Sequence, residues 1–305
     1  MYESLRKHCP DFKIWMLCLD EQAHLELSRL NLSGVVLVAL SELEDNDGPL
    51  LEAKKSRSLL EYYFTCTPSL PLYVLNQDPA VDLITYLDAD LFFVSNVEPV
   101  FAEIGNHSIA IIPHGFTKAF KKWEWNGIFN VGWVTFRRDQ NGLACLRWWR
   151  ERCLEWCYDR VEDNRFADQK YLDDWPSRFQ NVVILKHKGA NLAPWNIGNY
   201  KVSTRGDDVF VDDQPLIFFH FHGFKQLSRW IYDTQLGKYK ITPPEIVIRE
   251  IFAPYVKAVS SQMARLQKSD QPPLATLRKK AGWILTGWMP LLRRQYLIVV
   301  NGRVL

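Results

Sequence analysis

The sequence has almost no net charge: 37 lysines and arginines face 35 aspartates and glutamates, leaving a formal charge of +2 over 305 residues. A dedicated nucleic-acid binder needs a concentrated basic surface for phosphate contacts. Here the two signs are mixed along the chain, and that class is excluded. None of the six cysteines forms a Cys-x-x-Cys pair, so the common zinc-ligand spacing is absent. The amino terminus has no long apolar core of the kind a secretory leader carries, which leads to an expectation of reduced thiols and a cytoplasmic location. No internal repeat is visible.

What is present is ample core-forming material. A hydrophobic content of 47% with 24% charged residues describes a globular chain able to bury a large interior, organised as one main domain and an appendage. Apolar, β-rich runs at 12–19, 35–40 and 83–87 alternate with helical stretches at 23–31 and 50–64, and Thr67-Pro68 reads as the N-cap and first turn of another helix. Further strand candidates lie at 108–112, 131–136, 182–185 and 216–222. A tryptophan-rich helix over 142–160 places Cys145 and Cys153, with Cys157 nearby, on an apolar face as core thiols. This alternation predicts an α/β fold with a mostly parallel sheet flanked by helices. After about residue 240, Pro243-Pro244 opens a helical stretch to roughly Gln267, and Gln271-Pro272-Pro273 breaks it. The last segment mixes Trp283, Ile284, Leu285, Trp288 and Leu291 with Lys279, Lys280, Arg293 and Arg294. It is too short and interrupted to span a bilayer. Two readings stay open for it: docking onto the main domain, or contact with a membrane interface.

The most informative local pattern is Leu83-Ile84-Thr85-Tyr86-Leu87-Asp88-Ala89-Asp90. An apolar strand ends in two carboxylates one residue apart, beyond the carboxyl end of the strand, where α/β folds gather ligands. Paired acids there suit a hard divalent cation, and a cation suits phosphate. A solvated acidic turn is the plainer alternative. The second pattern is His220-Phe221-His222-Gly223-Phe224-Lys225. Strand alternation sends both histidines to one face, where either is an acceptable ligand beside carboxylates, and Lys225 brings positive charge for a leaving phosphate. Between them lie three polar groupings. Asn130 starts the strand Phe129-Asn130-Val131-Gly132 and offers an amide to a hydroxyl-rich ligand. Asp168-Gln169 stands at a helix start, where Asp168 is also a plausible N-cap. Asn191 and Trp195 join amide and aromatic chemistry in a way that suits either a sugar or a polar turn.

In this order the motifs Tyr-Leu-Asp-Ala-Asp, Phe-Asn-Val-Gly, Asp-Gln-Lys-Tyr-Leu and His-Phe-His-Gly-Phe-Lys resemble the family 8 glycosyltransferases and related nucleotide-diphospho-sugar transferases over roughly residues 2–230. The resemblance implies a GT-A (Rossmann-like) domain at 1–240 with a C-terminal helical extension at 241–305. It also implies Mn2+ (or Mg2+) as cofactor, a nucleoside diphosphate sugar donor, usually a UDP-sugar, a glycan or other hydroxyl acceptor, and retention of anomeric configuration. On the same basis Asp88, Asp90 and His220 match metal ligands, with His222 a rival. Ala89, Gly223, Lys225 and Arg57 fall to donor diphosphate binding, Asp168, Gln169 and Asn130 to catalysis at the donor sugar, and Asn191 and Trp195 to the acceptor or sugar pocket. The family's usual Pro-Trp after the lysine is absent. Relatives open with a strand before the helix that here begins at Met1-Tyr2-Glu3-Ser4-Leu5, so the first strand is expected to be missing, with either a translation start further upstream or a gap at the centre of the sheet. The competing classes are a haloacid-dehalogenase-like phosphatase, disfavoured by Leu91 and Phe92 after the acids, and a non-catalytic sugar-nucleotide-binding or scaffold protein. Peripheral attachment to the inner face of a membrane is expected only if the tail segment binds lipid.

Overall fold

A computed structural model describes residues 1–228, 230–266, 295–300 and 303–304. The expectations for the break at Gln271-Pro272-Pro273 and for the segment from Lys279 to Arg294 lie outside those residues. The chain begins with α1 (Tyr2–His8), β1 (Ile14–Cys18), α2 (Glu21–Leu30), β2 (Val35–Ala39), α3 (Leu40–Asp45), α4 (Gly48–Lys54), α5 (Leu59–Gln77) and β3 (Leu83–Leu87). There follow β4 (Leu91–Phe93), α6 (Glu98–Ile104), β5 (Ile109–Pro113), β6 (Phe129–Arg137), α7 (Gln140–Glu155), α8 (Trp175–Arg178) and β7 (Val182–Ile184). The remainder carries β8 (Val202–Arg205), β9 (Asp208–Val211), β10 (Gln214–Pro215), β11 (Phe218–His220), β12 (Lys225–Ser228), β13 (Ile231–Asp233), α9 (Glu245–Val247), α10 (Ala253–Leu266), β14 (Tyr296–Val300) and β15 (Arg303–Val304). The fold is α/β with mixed sheets and helices. The chain divides into two compact units, one of Tyr2–Ala89 and Val97–His187, the other of Asp90–Asn96 and the residues from Lys188 onward.

In the first unit β1 and β2 pair in parallel, and a four-stranded sheet runs in the order β3-β6-β5-β7. The parallel pattern expected from the alternating elements holds for β1–β2 and β5–β7, whereas β6 runs antiparallel to both β3 and β5. The chain between β5 and β6 turns back through residues 114–128, which carry a 3-10 helix over Lys118–Asn126, and such a return permits antiparallel neighbours. Trp15, Leu17, Val38 and Ile84 pack into one apolar cluster with Tyr62, Cys66 and Tyr73, so both sheets share a core. Among the described residues no ladder joins β1 to β3.

Helix α5 departs from the sequence expectation. Leu59–Gln77 is continuous through Pro68 and Pro71, where two helices were expected to meet. Its start is fixed by a capping box, in which the Ser58 hydroxyl accepts from the Glu61 N–H and the Glu61 carboxylate accepts from the Ser58 N–H. The cost of two prolines inside a helix is of order 3 kcal/mol each. It is offset by burial of Tyr62, Cys66, Tyr73 and Val74, while Thr65 and Thr67 back-bond to the carbonyls of Glu61 and Tyr63. Helix α7 buries Cys145, Leu146, Trp149 and Cys153 on the four-stranded sheet, as its pattern foretold. All six cysteines are free thiols.

The second unit centres on β11, paired antiparallel with β4. Phe219 and Phe221 lie in a cluster with Val247, Ile251, Phe252, Leu297 and Val299. Residues beyond 240 therefore share the interior of β11. They are helical over 245–266 and return to strand at β14, which pairs with β13. Among the described residues no helix is long and apolar enough to cross a membrane.

Candidate metal and sugar-nucleotide site

The second unit gathers Asp90, His220 and His222 so that one ligand atom from each lies within 4.8 Å of the others. Backbone pairing brings them there. Asp90 immediately precedes β4, its carbonyl accepts from the Phe221 N–H at 2.9 Å, and Leu91 sits opposite His220 in the β4–β11 register. Beyond β11 the chain turns at Gly223, whose φ of +71° is a left-handed conformation that glycine adopts without strain. That turn leads into Lys225, an exposed cation at the start of β12.

The shape of the donor set fits a divalent ion. His220 Nε2 lies 3.0 Å from Asp90 Oδ1. Two ligands held about 2.1 Å from one ion at right angles stand about 3.0 Å apart. The carboxylate with two imidazoles is a ligand set that manganese-like ions accept. His220 is buried, and its Nδ1 lies 3.4 Å from Asn191 Oδ1. An Nδ1–H pointed at that amide oxygen leaves Nε2 bare toward Asp90, the tautomer a ligating histidine requires. Burial alone would raise the Asp90 carboxyl, but when His220 is protonated at both ring nitrogens the hydrogen bond its Nε2–H donates, with the nearby imidazoles, holds it below its ordinary value. His222 has an exposed edge, yet desolvation of its ring, ahead of the repulsion from His220, pulls it down to about 4 and keeps it neutral.

Asn191 and Trp195, expected in a sugar pocket, are buried at 1% and 2% exposure. The Trp195 ring stands edge-on to His220 at 5.1 Å and to His222 at 5.6 Å. Asn196 ties the loop down by donating to the Asn191 carbonyl and accepting from the Ala193 N–H, both at 2.9 Å. The ring has little free surface, and it lies against the two histidines.

The first unit holds the remaining acids and amides. Asp88 accepts a hydrogen bond from the Tyr86 hydroxyl at 3.0 Å, and Ala89 beside it is exposed. Asp168 is buried, with its backbone carbonyl accepting from the Trp149 indole at 2.7 Å. Burial raises its carboxyl to about 7; Asp88 adds to the rise, and the Thr67 hydroxyl opposes it. The side chain is not an N-cap, because the turn that follows has Gln169 as its cap residue with no side-chain bond. Gln169 donates to the Asn126 carbonyl at 3.1 Å. Asn130 is buried in β6, accepts from the Gly132 N–H at 3.1 Å and contacts His114. Arg57 lies over the Tyr158 ring at 4.0 Å and donates to the Leu154 carbonyl at 3.2 Å, so much of its guanidinium is committed. Tyr86, Thr67 and His114 were not among the site residues expected from the sequence. Tyr86 alone carried a signal, since a residue two before Asp88 on a strand shares its face.

No protein-family model matches the chain. Two curated relatives do, both from Bacillus subtilis (strain 168) and both uncharacterized. YfnD is 32% identical over 272 residues, covering 88% of this chain and 86% of its own length, and YfnF is 34% identical over 236 residues, covering 75% and 77%. Among solved structures, the galactosyltransferase LgtC in complex with donor and acceptor sugar analogues aligns at 17% identity and TM-score 0.46, covering 82% of this chain and 94% of that one. Mouse xyloside xylosyltransferase 1 aligns at 14% identity and TM-score 0.41, covering 63% and 79%. The chain belongs to the family of YfnD and YfnF.

Proposed function

We propose that this member of the YfnD and YfnF family is a metal-dependent glycosyltransferase that moves a sugar from a nucleoside diphosphate donor, a UDP-sugar, to a hydroxyl of a glycan acceptor with retention of configuration. The observation that carries the reading is the Asp90, His220 and His222 group, built on the last acid of an Asp-Ala-Asp strand end and a His-Phe-His-Gly-Phe-Lys turn.

Asp90, His220 and His222 would hold Mn2+ or Mg2+, which when bound supplies Lewis-acid neutralisation of charge on the diphosphate. Asp88 belongs with this role by its place in the motif. The diphosphate end of the donor is assigned to Lys225 and the Gly223 turn, since an exposed ammonium adds positive charge for the leaving oxygen. By motif resemblance alone, Asn130, Asp168 and Gln169 are assigned to the donor sugar. In the reaction the bond between the anomeric carbon and the phosphate oxygen breaks, the acceptor oxygen bonds to that carbon, and the acceptor loses its proton. Asp168, with a proton affinity centred near neutrality, is matched to holding or taking a proton at working pH.

The test is Mn2+-dependent release of UDP from UDP-sugars by the full chain and by Asp90→Asn. The wild type is expected to release UDP only with the ion, and the variant to fold and to lose that turnover. Undiminished turnover in Asp90→Asn would sink the reading. Ion-dependent binding without any UDP release would assign the chain to a sugar-nucleotide binder instead.

A further inference from the structure

The ladder between β5 and β6 breaks at one place. Ile111 pairs with Val134, but the next residue, Ile112, pairs with Asn130, so Val131, Gly132 and Trp133 have no partner on β5. Asn130 stands at this irregularity and stabilises it, its Oδ1 accepting from the Gly132 N–H at 3.1 Å. Its amide nitrogen faces His114 Nε2 at 3.3 Å. His114 follows β5 directly. Its backbone N–H donates to the Ile128 carbonyl at 2.9 Å, and its ring Nδ1 approaches the same oxygen at 3.3 Å.

These partners specify both groups. A carbonyl oxygen is only an acceptor, so a hydrogen bond to it calls for a proton on Nδ1, the tautomer in which Nε2 accepts from the Asn130 Nδ2–H. The Asn130 amide then has its nitrogen toward an acceptor and its oxygen toward a donor, and turning it over would break both contacts. Phe116 fixes the plane of the imidazole by stacking on it at 4.7 Å with an interplanar angle of 10°. Asn130 and His114 are each 6% exposed, and at that depth a wrongly turned amide is costly.

We infer that His114 is a positioning residue, which in its Nδ1-protonated form orients the Asn130 amide toward the donor sugar. The inference rests on the proposed assignment of Asn130 to the sugar, and its two parts are separable by experiment. Long-range 1H–15N correlation on the full chain, with His114 assigned by the His114→Gln variant, reads the tautomer. A protonated Nδ1 with bare Nε2 is expected, and a protonated Nε2 would overturn the positioning role whatever the protein binds. Calorimetric titration with UDP and with UDP-glucose, UDP-galactose and UDP-N-acetylglucosamine, all with Mn2+, reads the consequence. His114→Leu, which removes the acceptor, should weaken the best UDP-sugar about tenfold and leave UDP unchanged. His114→Gln, whose terminal oxygen can stand in for Nε2, should restore most of the loss. Equal weakening of UDP and UDP-sugar, or no weakening at all, would overturn the inference. A wild type that binds every UDP-sugar no better than UDP would instead overturn the assignment of Asn130 to the sugar, leaving the tautomer result intact.

Discussion

Asp168 is the residue whose environment has the clearest measurable consequence. Its carboxyl titrates at an ordinary carboxylate value in the unfolded chain and near 7 when folded. The folded state therefore keeps a proton that the unfolded state gives up, and its contribution to stability is full below about pH 4 and declines as pH rises toward 7. Asp168→Asn removes this dependence. Urea denaturation should show the variant gaining on the wild type between pH 4 and 7, by a total of order 4 kcal/mol. A difference that stays constant over that range would refute the raised proton affinity. At the metal group, Asn191→Leu takes away the partner of His220 Nδ1 and should weaken Mn2+ binding about tenfold or more while the fold persists. Affinity equal to the wild type would mean that Asn191 does not orient the ring. That Asp90 and a histidine of the His220, His222 pair lie close together was legible from ligating residue types at fixed strand spacings, although the two histidines were read as rivals and Asp88 was expected beside them. The service of Asn191 and Trp195 to those histidines was not legible, since it depends on a loop many residues away folding back onto β11.

At the scale of elements, short strands were easier to read than the long helix. The runs at 35–40 and 83–87 became β2 and β3 nearly residue for residue, because a brief apolar stretch between polar turns has few other uses. Pro68 was read as a helix start, yet the interior contacts of α5 outweigh its local preference. The antiparallel course of β6 was also hidden, as strand direction follows from the path of the connection rather than from the strand's own residues. The two sheets of the first unit predict uneven protection of backbone amides. Strand β6 has partners on both sides, whereas β1 pairs only with β2 and β3 only with β6 among the described residues. In hydrogen exchange, alternate amides of β1 and β3 should exchange far faster than those of β6, which need larger openings. Uniformly strong protection through β1 and β3 would show that another strand lies against them.

For the whole molecule, a ligand that binds only the folded state raises its apparent stability, by about 2.7 kcal/mol when present at a hundred times its dissociation constant. Manganese should therefore raise the melting temperature of the wild type, EDTA should reverse the rise, and His220→Ala should abolish it. An identical rise in His220→Ala would place the ion elsewhere. The α/β class and the ordered motifs were accessible from sequence, but the joint packing of residues before and after 240 was not, because an amphipathic helix does not say which surface it will cover.

That packing bears on how the protein can be handled. Tyr255, in α10, lies flat against Phe221 with ring centres 3.6 Å apart, and Phe252 meets both Phe219 and Phe221. Phe221 sits between the two histidines in sequence. Trimming the gene after residue 240, a natural choice for a smaller crystallisation target, would strip the backing from that aromatic residue and so loosen the proposed ion site along with the discarded helix, even though the helix supplies none of its three donors.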